Sequence, residues 1–342
     1  MEEIKTLVLE GCGPAGFFMV GYLQKAFEEK CINFNIIENY IACSSGSICC
    51  FLFSIGYTPI EIVVYVAKYS GINSSFEELR KINMVTMLDG QGIISFEILK
   101  KIIVDMTIEK IGYMPTFNDI KTKFNKTLVF SVYNLNKKKV EYMSYENNPD
   151  LDCIDCIEMS SAIPIIFREV IYKENRYVDG AVGNGFPLEI SDLYDGNTLG
   201  ISITYDYPTC FIYENPLKYL FSMYFIAFAE LKKNKKKKKK NYIHIDLDIT
   251  KSDMKDVLLE SNIQILDMFS FGYKQYNIQP IQLPVVTLGR PLVDSLSRPL
   301  IDSLSRPLID SLSRPLIDSL SRPPSDSLGQ SGGDIIQPYA NI

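Results

Sequence analysis

The stretch Val8–Leu23, VLEGCGPAGFFMVGYL, predicts a strand, a tight glycine loop and a helix in succession. Gly11, Gly13 and Gly16 have the G-x-G-x-x-G spacing of a dinucleotide-binding turn, and Glu38 supplies the acidic residue that this fold places about 20 residues further on. Backbone N–H groups at the start of a helix also suit other anions. A Rossmann-type protein that binds FAD or NAD is therefore one interpretation of the loop.

A second turn follows in residues 39–57, NYIACSSGSICCFLFSIGY, which reads as a strand, a run of small residues and an apolar helix. The segment Ala42–Gly46 matches the G-x-S-x-G nucleophile elbow, with Ala42 in the first glycine position. Such an elbow needs small residues on both sides of the serine, because strand and helix nearly touch there. It aims the Ser44 hydroxyl at a helix N-terminus, whose dipole favours a developing anion. Taken alone, the pattern also fits a serine-rich turn with no catalytic task.

A third motif, Asp179-Gly180-Ala181, lies in YVDGAVGNGFP and is preceded by the apolar segment Ser160–Phe167, SSAIPIIF. Glycine loop, elbow and aspartate motif stand in the order found in patatin-like phospholipases, and the chain resembles that family over about residues 5–190. The segment SIGYTPIEI after the elbow resembles sequences of the branch of the family found in large DNA viruses.

The resemblance implies a three-layer α/β/α fold with a mostly parallel central sheet. It also implies a lipid acyl hydrolase of the phospholipase A or esterase type, acting in lipid breakdown without a metal or cofactor. Phospholipids or other acyl lipids would be the substrates. Acyl transfer requires a nucleophile, a base and donors for an oxyanion. The resemblance assigns these roles to Ser44, to Asp179 and to the backbone N–H groups of Gly11, Cys12 and Gly13, with Gly16, Ala42, Gly46, Gly180 and Ala181 as supporting positions.

The chain departs from the family pattern at three positions. Cys12 replaces a glycine of the oxyanion loop, and a cysteine is strained if that position has a positive φ. Ala15 stands where the family has Lys or Arg, and Ala42 adds a methyl group to the elbow. No departure removes a reacting group, so we expect activity to survive. A catalytically inactive interaction module remains the alternative.

A serine–histidine–aspartate triad of Ser44, Asp179 and His244 would have the chain order of an α/β-hydrolase. That fold places several strands before its serine, and the 43 residues before Ser44 are too few for them. His244 alternates with apolar residues in YIHIDLDI, which predicts a strand residue without a catalytic task. Cys153 and Cys156 lack a second cysteine pair at zinc spacing, so we expect free thiols.

Composition and charge are those of a folded soluble protein, with 46% hydrophobic and 22% charged residues and a net charge of −6. Without the eight lysines in residues 232–240, 27 basic residues face 41 acidic ones. An acidic body argues against nucleic acid as a partner. The N-terminus does not resemble a signal peptide, and the most apolar later run, Tyr219–Ala229, has 11 residues where a span needs roughly 20. We expect a cytoplasmic protein or one in peripheral contact with a membrane.

The predicted organisation is a hydrolase domain in residues 1–285, with the lysine-rich insertion at 232–240, and a low-complexity tail in residues 286–342. The tail repeats RPLIDSLS, with small variations, at a period of eight, and a proline in every unit disfavours helix and central strand. We therefore expect the tail to be disordered or extended. Within the domain, capping boxes predict helices that start after Thr58 and Ser75. Further helices are predicted at Gly16–Glu29 and Gly46–Ile55, and strands at Thr6–Leu9, Ile32–Ile37, Tyr40–Cys43, Thr127–Tyr133 and Tyr242–Ile249.

Overall fold

The computed structural model describes residues 3–69, 92, 95–204, 219, 226, 242–248 and 262–281. The described strands are β1 (Ile4–Leu9), β2 (Asn39–Cys43), β3 (Thr127–Asn134), β4 (Lys139–Ser144), β5 (Val170–Tyr172), β6 (Asn175–Asp179), β7 (Asn197–Thr204) and β8 (Tyr242–Asp248). The described helices are α1 (Gly16–Glu28), α2 (Ser45–Ser54), α3 (Pro59–Lys68), α4 (Glu97–Ile111), α5 (Phe117–Phe124), α6 (Cys153–Ser161), α7 (Ala181–Asn184) and α8 (Asn262–Ile278).

The strands form one sheet in the order β5-β6-β3-β2-β1-β7-β8, with β4 also paired to β3. Pairings among β3, β2, β1, β7 and β8 are parallel, and those that involve β4, β5 and β6 are antiparallel. This confirms the predicted α/β class. The central strands are parallel as expected, and an antiparallel extension makes the whole sheet mixed.

Two strands, β2 and β6, pair with the same side of β3 along successive stretches of it. Cys43, the last residue of β2, pairs with Ser131 in parallel register. Asp179, the last residue of β6, pairs with the next residue, Val132, in antiparallel register. Because β4 occupies the other side of β3 along the same residues, β2 and β6 meet end to end. The ends of β2 and β6 are therefore neighbours although 136 positions separate them.

The main core lies between the sheet and the helices α1, α2 and α6. Its sheet residues include Leu7, Tyr40, Phe130 and Leu199. The residues between them on the strands point to the other face, where Val8, Ile41 and Val129 pack with Phe186. This alternation follows from the two-residue period of a strand. Strands buried on both faces read as nearly continuous apolar runs, as β1 does.

Most predicted elements are confirmed to within a few residues, including the Thr58 capping box, in which the Thr58 hydroxyl and Glu61 carboxylate cap each other's backbone N–H. The predicted strand Ile32–Ile37 is wrong. It forms a turn, in which the Asn33 side chain accepts from the Asn35 N–H and the Asn33 carbonyl from the Ile36 N–H. An asparagine that caps its own backbone competes with a ladder. The Ser75 helix start, most of Tyr219–Ala229, the lysine insertion and the repeat tail lie outside the described residues.

Among the described helices, none is by itself long and apolar enough to cross a membrane. The helices α2 and α3 reach that length and composition as a pair, and they meet at a bend of 116°.

Candidate active site

The turn between β2 and α2 has the geometry of a nucleophile elbow. Ser44, the residue between strand and helix, has φ 51° and ψ −127°, a conformation that costs a non-glycine residue of order 1–3 kcal/mol. Gly46 permits this turn, because a Cβ there would lie 2.7 Å from the Leu9 carbonyl oxygen and 2.8 Å from that of Glu10. The first turn of α2 therefore packs directly on the end of β1. Ala42 is fully buried in β2, and its methyl group fits in the core.

Asp179 ends β6 beside this elbow and is 1% exposed. Its Oδ1 accepts the Ala181 N–H at 2.8 Å and the Cys43 thiol at 3.5 Å. The Ser44 hydroxyl lies near enough to this carboxylate to lower its pKa. The structure thus brings together two residues that the sequence predicts as site residues from motifs far apart in the chain.

The Asp179 carboxyl is tuned by opposing effects. Burial raises its pKa from an ordinary 3.8 to about 6, and the hydrogen bonds from Ala181, Ser44 and Cys43 limit the rise. Burial disfavours the charged form, whereas donors to the carboxylate favour it. The result is a base that is ionised at neutral pH and still takes up a proton readily, a combination frequent at catalytic sites.

Ser160, on α6, is fully buried and contacts the elbow. Its hydroxyl accepts the Ser44 N–H at 2.9 Å, donates to the Ser131 carbonyl at 2.8 Å and lies 3.1 Å from the Ser47 hydroxyl. It therefore satisfies the N–H of the residue with the unusual backbone conformation. The sequence places Ser160 in an apolar segment of the aspartate motif and gives no sign of this contact.

The glycine loop packs closely against the elbow, since a Cβ on Gly11 would lie 2.9 Å from the Ser44 Cβ. The Gly11 N–H donates to the Gly185 carbonyl at 2.9 Å, and the Cys12 N–H donates to the Ser45 hydroxyl at 3.1 Å. The positive φ of 56° falls on Gly13, and Cys12 has φ −144°. The strain expected for a cysteine at position 12 is therefore absent.

The remaining motif positions surround this centre. Gly16 begins α1 and faces Ser45, at 3.5 Å from an added Cβ. Gly180 packs on β3 so closely that an added Cβ would lie 2.3 Å from the Ser131 carbonyl oxygen. Ala181 begins α7 and supplies the N–H that Asp179 accepts.

The alternative site residues lie in other surroundings. The His244 ring is on β8, where its Nε2 is 2.8 Å from the Ser202 hydroxyl and its ring packs on Phe186. Cys153 and Cys156 are free, buried thiols on α6. Within the described part of the chain, no group of three His, Cys, Asp or Glu side chains is arranged to hold a metal ion.

Glu38 does not share an edge with the glycine loop. It precedes β2, whereas the loop follows β1, and these strands are parallel. Glu38 therefore lies at the opposite edge of the sheet, where the parallel strands begin, and it pairs with Lys5 at 2.8 Å. A dinucleotide fold needs the acidic residue at the carboxyl end of the second strand, so the geometry argues against the Rossmann interpretation.

A cavity of about 550 Å³ lies at that opposite edge, lined by residues that include Lys5, Asn35, Glu38 and Lys126. Its cations are already engaged: Lys5 pairs with Glu38, and the Lys126 ammonium donates to the carbonyls of Phe34, Asn35 and Ile37. The cavity is remote from Ser44 and does not belong to the candidate site.

Comparisons with known proteins identify the family of this chain. The sequence model described as Patatin-like phospholipase matches residues 7–192, the part of the chain that carries all three motifs. A probable lipid hydrolase of Invertebrate iridescent virus 6 is 36% identical over 196 residues, which cover 56% of this chain and 64% of that protein. An uncharacterized protein of Acanthamoeba polyphaga mimivirus is 26% identical over 205 residues, covering 59% and 66%. The matched part thus spans just under two thirds of each viral relative.

Among solved structures, VipD from Legionella pneumophila is similar with a TM-score of 0.46 and 16% identity, over 81% of this chain and 66% of that one. The family assignment rests on the sequence model, which matches more than half of the chain. This protein belongs to the patatin-like phospholipase family.

Proposed function

We propose that this protein is a lipid acyl hydrolase that cleaves carboxylic ester bonds of phospholipids or other acyl lipids with a Ser44–Asp179 dyad. The observation that carries the proposal is that a serine at a strained strand-to-helix turn directly follows Cys43, which contacts the buried Asp179 carboxylate, and that this carboxyl has a raised pKa. Membership of the patatin-like family and the name of the iridovirus relative support the substrate class. An acyl lipid as substrate also implies peripheral contact with a lipid surface.

In the first step, the Ser44 hydroxyl oxygen forms a bond to the ester carbonyl carbon while its proton passes to the Asp179 carboxylate. The tetrahedral intermediate then collapses, the ester C–O bond breaks, and the alcohol leaves with the proton from Asp179. The acyl group stays on Ser44. A carboxylate with a pKa of about 6 suits both transfers, because proton transfer is most efficient when the base titrates near the working pH.

In the second step, a water molecule transfers a proton to Asp179 and attacks the acyl carbon. Collapse of this intermediate returns the proton to the Ser44 oxygen and releases the fatty acid. Ester and water are thereby converted into acid and alcohol, and the dyad regains its starting state.

The negative oxygen of each intermediate needs hydrogen-bond donors in place before the reaction. The N–H groups of Gly11 and Cys12 already donate to Gly185 and Ser45, which leaves the Gly13 N–H as our candidate donor, and α2 begins at Ser45, directly after the nucleophile. The Cys12 N–H joins this set if the Ser45 hydroxyl gives up its contact. We therefore propose Gly11–Gly13 as the oxyanion loop, with Gly13 as its principal donor.

The test compares the full-length chain with Ser44→Ala and Asp179→Asn on vesicles of mixed phospholipids, with released fatty acid measured by mass spectrometry. We expect release by the parent chain and loss of at least about 1,000-fold in each variant, since each removes a reacting group. A fluorophosphonate probe should label the parent chain and leave Ser44→Ala unlabelled.

Two outcomes contradict the proposal. Equal release by the parent chain and Ser44→Ala would remove Ser44 as the nucleophile. A folded parent chain that neither releases fatty acid nor reacts with the probe would instead favour the inactive interaction module.

A further inference from the structure

Cys43, the residue before the proposed nucleophile, is fully buried at the end of β2, and its thiol contacts the Asp179 carboxylate. Its pairing partner on β3 is Ser131, the residue next to the partner of Asp179. The end-to-end junction of β2 and β6 thus places the Cys43 thiol beside the carboxylate.

The Cys43 thiol is a hydrogen-bond donor in this position. Burial, and next the neighbouring Asp179 carboxylate, raise the pKa of Cys43 well above its usual value, so the sulfur keeps its proton. The carboxylate has no proton to give when ionised, so the hydrogen bond of 3.5 Å runs from Sγ to Oδ1. Oδ1 also accepts the Ala181 N–H, and both donors therefore hold the same oxygen.

Resting on the proposed function, we infer that Cys43 is a positioning residue that, with the Ala181 N–H, anchors Oδ1 of Asp179 and turns Oδ2 toward the Ser44 proton. A carboxylate has two oxygens that rotate together about one bond, so two donors on Oδ1 fix the direction of Oδ2. Fixed orientation of a base contributes to the rate because proton transfer needs a short, aligned contact.

The same contact also lowers the pKa of Asp179, although less than burial raises it. Among the described residues, the groups that act on the Asp179 carboxyl are Cys43 on β2, Ser44 at the elbow and the Ala181 N–H on α7. Glu10, at the end of β1, acts on the Cys43 thiol and is a weaker influence than Asp179. Each donor to Asp179 favours the ionised form. Removal of the thiol should therefore raise the pKa of Asp179.

The test uses the full-length chain and the variants Cys43→Ala, which removes the donor, and Cys43→Ser, which keeps one. Cys50→Ala is the matched control, because Cys50 is an equally buried thiol in the middle of α2. The first readout is the titration of the Asp179 carboxyl carbon by NMR in protein labelled with 13C aspartate, assigned by its absence in Asp179→Asn. The second is the pH profile of kcat/KM for fatty-acid release.

We expect Cys43→Ala to raise the titration midpoint by about 0.5–1 pH unit, the scale of one lost weak donor. The acid limb of kcat/KM should move by the same amount, and kcat should fall several-fold with KM unchanged. Cys43→Ser should titrate at or below the parent midpoint, because a hydroxyl is the stronger donor. Cys50→Ala should leave both readouts at the parent values.

An unchanged midpoint in Cys43→Ala would overturn the inference, and so would a midpoint raised equally by Cys43→Ala and Cys43→Ser. If Cys43→Ala does not fold, a Cys43→Ser midpoint above that of the parent would overturn it. The NMR readout does not depend on catalysis. If the parent chain releases no fatty acid but Cys43→Ala still raises the titration midpoint of Asp179, the result would support the positioning role and remove the proposed hydrolase function.

Discussion

The backbone N–H of Ser44 donates to the hydroxyl of Ser160 at 2.9 Å, although the two residues are 116 positions apart. This bond holds the turn at a φ of 51° that a serine does not adopt by preference. The same hydroxyl donates to the Ser131 carbonyl on β3. One side chain thereby ties the elbow, α6 and the sheet together.

Replacement of Ser160 by Ala should destabilise the protein and misplace Ser44. The Ser44 N–H would be buried without its acceptor, which costs about 1–3 kcal/mol. We expect the free energy of unfolding in urea to fall by that amount and kcat to fall more than KM rises. Ser54→Ala is the control, because Ser54 is a buried serine on α2 that donates to the Phe51 carbonyl within its own helix. Equal effects of both substitutions on kcat would contradict a role specific to the elbow.

The activity should depend on the ionised form of Asp179. Since burial raises the pKa of this carboxyl to about 6, kcat/KM should fall tenfold for each pH unit below about pH 6. The measurement is the initial rate of fatty-acid release at low substrate, with the fold checked by circular dichroism at each pH. An acid limb near pH 4 would mean that a carboxyl with an ordinary pKa controls the reaction.

Asp179→Asn should be more stable than the parent chain at neutral pH. The native carboxyl has a pKa of about 6 against 3.8 in the unfolded chain, so the native state binds the proton more tightly. The free energy of unfolding of the parent chain should therefore decrease as the pH rises from about 4 to about 6, by up to about 3 kcal/mol.

The asparagine variant lacks this titration. Its stability relative to the parent chain should rise over the same pH interval and level off above pH 7, as measured by urea unfolding at several pH values. A constant difference between pH 4 and pH 7 would show that the Asp179 pKa is the same in the folded and unfolded states.

Two glycines of the motifs should respond differently to alanine. Gly46→Ala places a methyl carbon 2.7 Å from the Leu9 carbonyl oxygen, so α2 must move away from β1. We expect a loss of about 2 kcal/mol or more in stability, as for other overpacked positions, together with loss of activity. Gly16→Ala meets Ser45 at an ordinary 3.5 Å in helical backbone and should change stability by less than about 1 kcal/mol. Similar losses in both variants would contradict the packing argument.

Cys12→Gly restores the glycine typical of the family and should not improve the protein. Cys12 has a negative φ, so no strain is relieved, and a glycine adds conformational freedom to the unfolded chain. We expect stability to decrease by about 0.5–1 kcal/mol in thermal or urea unfolding. A more stable Cys12→Gly variant would indicate strain at this position.

The sequence by itself determines the class of the fold and singles out the two residues that we propose as the reacting pair. Apolar strands followed by Gly11–Gly16 and by Ala42–Gly46 require tight strand-to-helix turns, because only small residues let the helix start so close to the strand. These are local constraints, and the residues that impose them are adjacent in the chain. For the same reason the sequence predicts the Thr58 cap. Residues 32–37 have the alternating apolar spacing of a strand, yet the Asn33 side chain stabilises a turn there.

The tertiary structure alone decides what surrounds Ser44 and Asp179. The contacts of Ser160 with Ser44, and of Cys43 with Asp179, join residues more than 100 positions apart. They arise because β2 and β6 end against neighbouring residues of β3, and a register of that kind leaves no local mark on the sequence. The pKa of Asp179 and the opposite placement of Glu38 likewise follow from burial and strand direction, which the chain acquires only when the sheet is assembled.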